Sequence, residues 1–561
     1  MDDVDAVQAQ IARNMLQSGD WVTARLNGVA YLEKSPLIYW VMAASFRLFG
    51  VHDWVARLPL ALIVVCLCWI TGRFGRWAFG DEAGLYSGIV LSTCIGLFLF
   101  TRILIPDAAI TLTITLAMWS FLRALDDEEH HPQAWAALLA ASLGAGLLLK
   151  GLISIVFPVG AALIYLARIG QLFSVETWKK LRPFTGLLIL LVVAAPWHIL
   201  ATLRNPPYFD LTMHSGPGEY RGFLWFYFIN EHILRFLNLR YPRDYNTVPR
   251  LWFWLLHLVW LFPWSLYLPA VFRGNYKATD RAGRVRLLAL CWIAFVMVFF
   301  TFSTTQEYYS MPIYPALALL LSSAMAERGA WVGVGTRILA ALSVGAALVI
   351  GTILFQVRGV SATGEFSSAL AQHPELYTLS LGHVGDLTLR SLAYLRLPLA
   401  MAGVAFLMGA TGLWIFRKNA GKAFFAAALM MVIFFHAARV AMVTFDPYLS
   451  SKPLADALLA APPGELIEAN AYYSFSSVFF YTHQQALLLN GRKNNLEYGS
   501  YAPDAPKVFI GDNEFKKLWS GSGRYYLLAY GDELRRLEEV VGRPAMHVVK
   551  ESGGNYLVSN Q

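Results

Sequence analysis

The chain has 561 residues and a formal net charge of +8, with 57% of its residues hydrophobic, 14% aromatic and only 15% charged. A mean hydropathy of +0.48 excludes a water-soluble globular domain and reads as a polytopic membrane protein. The basic residues fall in short patches between apolar runs, as membrane topology requires and a nucleic-acid surface does not, and Cys66, Cys68, Cys94 and Cys291 all lie inside apolar segments, where they read as small core residues.

The opening, MDDVDAVQAQIARNML, predicts an amphipathic helix with Val4, Val7, Ile11 and Met15 on one stripe. Asp2, Asp3 and Asp5 stand at its start, where carboxylates cap free N–H groups. Asp3-Val4-Asp5 is also an acidic pair, able to hold a cation or orient an acceptor. In YLEKSPLIYW, residues 31–40, Ser35-Pro36 marks a helix start. Lys34 then sits beside free helix N–H groups, a setting for an anion such as phosphate; otherwise it is a lysine snorkelling to the interface. Glu33, in an extended stretch, suits a metal or a cationic group. Residues 36–50 are too short for a span, carry Arg47, and predict a helix lying in the interface.

Apolar stretches able to cross a hydrocarbon layer of about 30 Å lie near 54–75, 83–101, 108–124, 134–150, 151–167, 184–203, 251–272, 287–303, 311–326, 337–355, 396–416 and 421–445, about twelve in all. Basic clusters at Arg73 and Arg76, at Lys179, Lys180 and Arg182, at Arg273 to Arg286, and at Arg417, Lys418 and Lys422 mark the cytoplasmic side. By alternation, the periplasmic side receives residues 1–53, 102–107, 204–250, 303–310, 356–395 and everything after about 446. Three regions result: a first loop, 1–53, with amphipathic and interfacial helices; a transmembrane domain, 54–446, with the periplasmic loop 204–250; and a periplasmic α/β domain, 447–561. In the last, ELIEAN, SVFFYT, ALLLN, RYYLLAY and MHVVKES predict strands and DELRRLEEVVG a helix. Because residues 1–53 fall on the periplasmic side with no span before them, a further first span is expected upstream of Met1.

The chemistry-bearing residues gather on that same side. TRILIPD contributes Arg102 and Asp107, the latter also a helix-cap candidate. Lys150 breaks LLLKGL between two spans, where an ionisable group is a functional candidate or a headgroup anchor. FLWFYFINEHILRFL supplies Glu231, His232 and Arg235, with Glu231 and Arg235 also readable as an i, i+4 surface pair. Tyr308 and Tyr309 precede Pro312 and are otherwise aromatic-belt residues. Inside the spans, the main polar exceptions are His436 and Arg439. This distribution suits an anionic lipid headgroup handled at the outer surface better than an ion crossing the membrane midway.

The run from the acidic pair through YLEK, TRILIPD, KG, EHILRF and YY before YPALALL resembles the GT-C membrane glycosyltransferases, within them the 4-amino-4-deoxy-L-arabinose transferase and protein O-mannosyltransferase branch. The resemblance covers essentially the whole chain and implies thirteen spans, the first preceding the acidic pair. It implies transfer of a sugar, 4-amino-4-deoxy-L-arabinose, from an undecaprenyl-phosphate donor to lipid A or another periplasmic acceptor, in the bacterial inner membrane and without nucleic acid. Position by position, it implies catalytic roles for Asp3 or Asp5 and for Asp107, and donor-phosphate contacts by Lys34, Arg235 and Tyr309, to which Arg102 and Lys150 are joined by location. Glu33 with His232 would form a metal pair for zinc or magnesium. Many members carry DE.RYA in the first loop, where this chain has VDAVQA, so Val7 and Gln8 replace an arginine and a tyrosine. The alternatives are a protein O-mannosyltransferase-like enzyme, a lipid-linked sugar flippase, or a structural subunit of an envelope complex whose working surface is 447–561.

Overall fold

The computed structural model describes residues 1–243, 247–303, 305–363, 370, 382–469 and 471–561. Parts of the predicted loops 204–250, 303–310 and 356–395 lie outside the described residues. Among the described residues, nine helices are long and apolar enough to cross a membrane, from Asp53–Phe79 to Ala420–Asp446, with a tenth if the bent pair Arg250–Trp260 and Trp264–Val271 is one span. The protein is a multi-pass α-helical membrane protein. Leu62, Val65 and Trp69 on one helix and Leu348 and Val349 on another are more than half exposed, the surface a lipid phase rather than water would cover.

Two predicted spans are broken, and the breaks support each other. Residues 83–101 form α4 (Asp81–Ser92) and α5 (Ile95–Phe100), while 251–272 bends by 94° around residues 261–263. Pro263 has no N–H to continue a helix. The freed Phe262 carbonyl accepts from the Ile95 N–H at 3.2 Å, and the Trp264 indole N–H donates to the Thr93 hydroxyl at 3.0 Å. Backbone groups released by one break are therefore satisfied at the other.

The ends of the bundle differ in chemistry. At one end Arg281 pairs with Asp126 and Glu128, Lys180 with Asp127, Arg286 with Glu327, and Arg328 with Glu82. These are the connections that the charge pattern put on one face. The opposite end carries the N-terminal segment, the start of α6 (Asp107–Leu125), the end of α7 (Pro132–Lys150) and the C-terminal sheet.

α1 (Asp3–Ser18) is capped by Asp2, whose carboxylate accepts the Asp5 N–H at 2.8 Å, and closes on Gly19 at φ 72°. Asp3 and Asp5 are thereby free of capping and turn to tertiary contacts. Of the predicted stripe, Val7, Ile11 and Met15 are buried but Val4 is 49% exposed. A two-stranded hairpin follows, β1 (Arg25–Leu26) and β2 (Val29–Ala30), turning on Asn27 and Gly28, both at positive φ. Then comes α2 (Leu37–Phe49), the short helix expected at 36–50.

The C-terminal region is a six-stranded sheet in the order β5-β4-β3-β6-β8-β7, built from β3 (Glu465–Glu468), β4 (Ala486–Leu489), β5 (Phe509–Ile510), β6 (Tyr525–Tyr530), β7 (His547–Ser552) and β8 (Asn555–Ser559). β5, β4, β3 and β6 are parallel, and β8 and β7 complete an antiparallel edge. SVFFYT, predicted as a strand, is the helix Ser476–Thr482. It connects the parallel neighbours β3 and β4, which cannot be joined by a tight turn, and burial on several sides erased its periodicity.

This helix clasps α1. Gln10 donates to the Ser476 carbonyl at 2.9 Å, Arg13 to those of Phe479 and Phe480, and Asn27 exchanges two hydrogen bonds with the Ala486 backbone. Asp3 completes the clasp, accepting from the Ser477 N–H and hydroxyl at 2.7 Å and from the Ser451 hydroxyl at 2.9 Å. Burial pushes the Asp3 carboxyl up to about 6 despite these donors. A carboxyl bound to its proton more tightly in the folded state stabilises fully below the unfolded value of 3.8 and loses that contribution as pH rises through about 6. Melting temperature should therefore fall between pH 4 and 6 by more in the parent than in Asp3→Asn, as followed by thermal denaturation in detergent.

α7 meets α8 (Ile153–Arg168) through Gly151, at φ 72° and ψ −146°. Its missing Cβ would stand 2.1 Å from His232 Nε2. Gly151→Ala should cost roughly 1–3 kcal/mol from the backbone strain alone, read as a lowered melting temperature, and should displace Lys150 along with His232.

Candidate active site at one end of the helix bundle

A cavity of about 360 Å³ opens at the end of the bundle that carries the N-terminal segment. Lys34, Asp107, Lys150, Glu231, His232, Arg235 and Tyr309, which come from loops and helix ends spread over 276 positions of the chain, all line it together with Glu33. The rest of the wall is largely apolar, from Ile110, Ile153, Val156, Phe236 and Phe299.

Each cation is placed by a partner. Lys150, at the last residue of α7, forms an ion pair with Asp107, the first residue of α6, and its ammonium stands 4.9 Å from the centre of the Tyr309 ring. Arg235 donates to Glu231 and to the Tyr309 hydroxyl, each at 2.9 Å. Lys34 lies 3.7 Å from Glu33. The side chains of Lys34, Lys150 and Arg235 keep 30%, 21% and 20% of their surface accessible, whereas Glu33, Asp107 and Glu231 are buried. The cations are therefore the more accessible charged groups of the wall, and the carboxylates beside them are the more deeply buried.

Glu231 and His232 belong to a π-helical stretch, Trp225–Leu234, a form that recurs at functional sites. Behind Glu231 lies Arg240, whose side chain has no accessible surface. It is ion-paired with Glu231, approaches Glu33 at 3.1 Å, and donates to the Pro242 carbonyl at 2.9 Å. Burial would raise the Glu231 carboxyl, but Arg240 and Arg235 outweigh it and hold it well below the usual carboxylate range. Glu33 also accepts from Asn495 at 2.8 Å and from the Tyr31 hydroxyl at 3.3 Å, so the C-terminal region reaches the site. Ser35 does not cap α2; it bonds to Tyr227 and donates to the Leu147 carbonyl at 3.0 Å.

The metal pair expected at Glu33 and His232 does not fit this arrangement. His232 Nε2 accepts from the Leu152 N–H at 3.1 Å and Nδ1 faces the Tyr227 carbonyl, so Nδ1 carries the proton and neither nitrogen offers a lone pair to the cavity. Burial lowers the imidazole further. The Glu33 carboxylate is engaged by Arg240, Asn495 and Tyr31. Among the described residues no three His, Cys, Asp or Glu side chains converge on a point where zinc or magnesium would be held.

Three further predicted residues lie off the cavity. Asp3 is spent on Ser477 and Ser451. Asp5 is buried against Arg57 and accepts the Leu104 N–H at 2.7 Å, and burial with Asp2 nearby pushes it up to about 7. Arg102 stacks 4.3 Å from the Phe98 ring centre. Asp5 thus braces the segment leading into Asp107, and Asp3 the C-terminal region, instead of facing the cavity. Arg240 escaped the sequence reading; its only signal was a second arginine five positions after Arg235, in a stretch that also reads as solvated loop.

The family described as dolichyl-phosphate-mannose-protein mannosyltransferase matches residues 33–200. An undecaprenyl phosphate-alpha-4-amino-4-deoxy-L-arabinose arabinosyl transferase of Pseudomonas fluorescens is 26% identical over 67% of this chain, and the match takes in 61% of that relative, less than two thirds of its length. The like-named protein of Erwinia tasmaniensis is 26% identical over 91% of this chain and 85% of its own. The crystal structure of ArnT from Cupriavidus metallidurans bound to undecaprenyl phosphate superposes with a TM-score of 0.77 over 99% of this chain and 93% of that one, at 21% identity. In fold the chain is similar to the ArnT crystal structure, and in sequence it is similar to the curated aminoarabinosyl transferases.

Proposed function

We propose that this protein is a polyprenyl-phosphate-sugar-dependent glycosyltransferase of the bacterial inner membrane, its cavity facing the periplasm, that moves 4-amino-4-deoxy-L-arabinose from undecaprenyl phosphate to lipid A. The observation that carries this reading is the convergence of Lys34, Lys150 and Arg235 on one apolar-walled cavity. The names of the relatives and the lipid in the related crystal structure supply the substrate class. The ion-paired basic end opposite the cavity suits the cytoplasmic face.

In this reading the bond from the anomeric carbon to the donor phosphate breaks as the acceptor oxygen attacks from the other side, with inversion, and the electron pair leaves with the phosphate. The largest demand is to stabilise that departing dianion. Lys34 and Arg235 meet it, with Tyr309 held by Arg235 as a neighbouring hydroxyl donor. Asp107 lines the cavity with Glu33 and Glu231 and keeps Lys150 in place. An acceptor that is already a phosphate needs no base; an acceptor hydroxyl would pass its proton to a carboxylate. The family match at 33–200 favours a second reading, a protein hydroxyl as acceptor; mass spectrometry of envelope lipids and glycoproteins with and without the gene separates the two.

Lys34→Ala and Arg235→Ala should each lower transfer about 100-fold or more in a purified assay with a lipid-linked sugar donor, with the protein still folded. Full activity in either would remove the phosphate role. Tyr309→Phe, which deletes one hydroxyl and keeps the ring under Lys150, should cost roughly tenfold, the worth of one hydrogen bond.

A further inference from the structure

We infer that Arg240 is a positioning residue that sets the charge available to the donor phosphate, an inference that rests on the phosphate-binding role proposed for Lys34 and Arg235. Lys34, Glu33, Arg240, Glu231 and Arg235 form one row of alternating charge, with the buried guanidinium at its centre, ion-paired with Glu231 and 3.1 Å from Glu33. The two outer cations line the cavity; Arg240 does not.

The row holds three cations and two carboxylates. With Arg240 in place, each carboxylate has a cation behind it, so neither acid draws on its cavity-side cation alone. Without it, two buried carboxylates face each other with no charge between them, and their nearest compensation is Lys34 and Arg235. The cations would be drawn inward and their charge cancelled. The fork of the guanidinium is what lets one side chain serve both acids; a lysine offers a point charge that holds one. Arg240 therefore couples residue 33, at the head of the short α2 segment, to the π-helical stretch 225–234, so that the two cations stand at a fixed separation across the phosphate.

The probe is undecaprenyl phosphate, titrated in detergent against the full chain by tryptophan fluorescence. Arg240→Gln should weaken binding about tenfold or more, as expected for an unbalanced buried charge. Glu33→Gln on top of Arg240→Gln removes one of the two stranded carboxylates and should recover most of that loss. A purely architectural arginine predicts the opposite, since the double variant loses one more contact. Unchanged affinity in Arg240→Gln, or no recovery in the double variant, overturns the inference. If Arg240→Gln cannot be purified, Arg240→Lys replaces it; affinity should fall roughly threefold or more, and unchanged affinity overturns the inference. Lys34→Ala in the same titration separates the two levels: if it too binds normally, the phosphate site itself is wrong, whereas lost binding there with normal binding in Arg240→Gln refutes the role of Arg240 alone.

Discussion

Charge held away from water governs this protein. Three cations and two carboxylates are packed into the end wall of a largely apolar bundle, where leaving any one of them uncompensated is costly. In the row Lys34, Glu33, Arg240, Glu231 and Arg235 each acid stands between two cations, and the two outer cations lie at the cavity. Lys150 and Asp107 repeat the device from a second direction. In the proposed function an anionic headgroup entering among these side chains would meet Lys34, Lys150 and Arg235 directly.

The surrounding structure holds that wall still. α1 is clasped by the C-terminal helix Ser476–Thr482 through Asp3, Gln10 and Arg13, and Asp5 fixes the backbone at Leu104 just before Asp107. Asn495 reaches from the C-terminal region to Glu33. Gly151 lets the chain turn sharply enough after Lys150 for His232 to receive the Leu152 N–H. Elements remote from the cavity thus act on it through directional hydrogen bonds, several of them to backbone groups, which fix position.

Most of the long spans, the end on which basic residues collect, the C-terminal α/β region and the eight polar lining residues from Glu33 to Tyr309 were legible in the sequence. They rest on quantities local to the chain: a run of apolar side chains has to leave water, and basic groups remain on one side of the bilayer. The helix at 476–482 and the two broken spans were not readable. Their apolar runs are buried on several faces, and only a partner decides between helix and strand or between a straight span and a bend. The roles of the aspartates divided likewise: Asp2 is the cap, as local geometry allows, while Asp3 and Asp5 were claimed by Ser477 and Leu104, hundreds and about a hundred positions away.

What the residues settled without any fold was the solvent the chain lives in and the end of the bundle on which the ionisable side chains of the cavity collect, because burial and sidedness follow from composition along the chain. What awaited three dimensions was which acid faces which cation. Arg240 is unremarkable in its own stretch of sequence and central only once Glu33 and Glu231 stand on either side of it, since the energy of an ion pair is fixed by separation in space and by the medium between the charges, neither of which sequence spacing records.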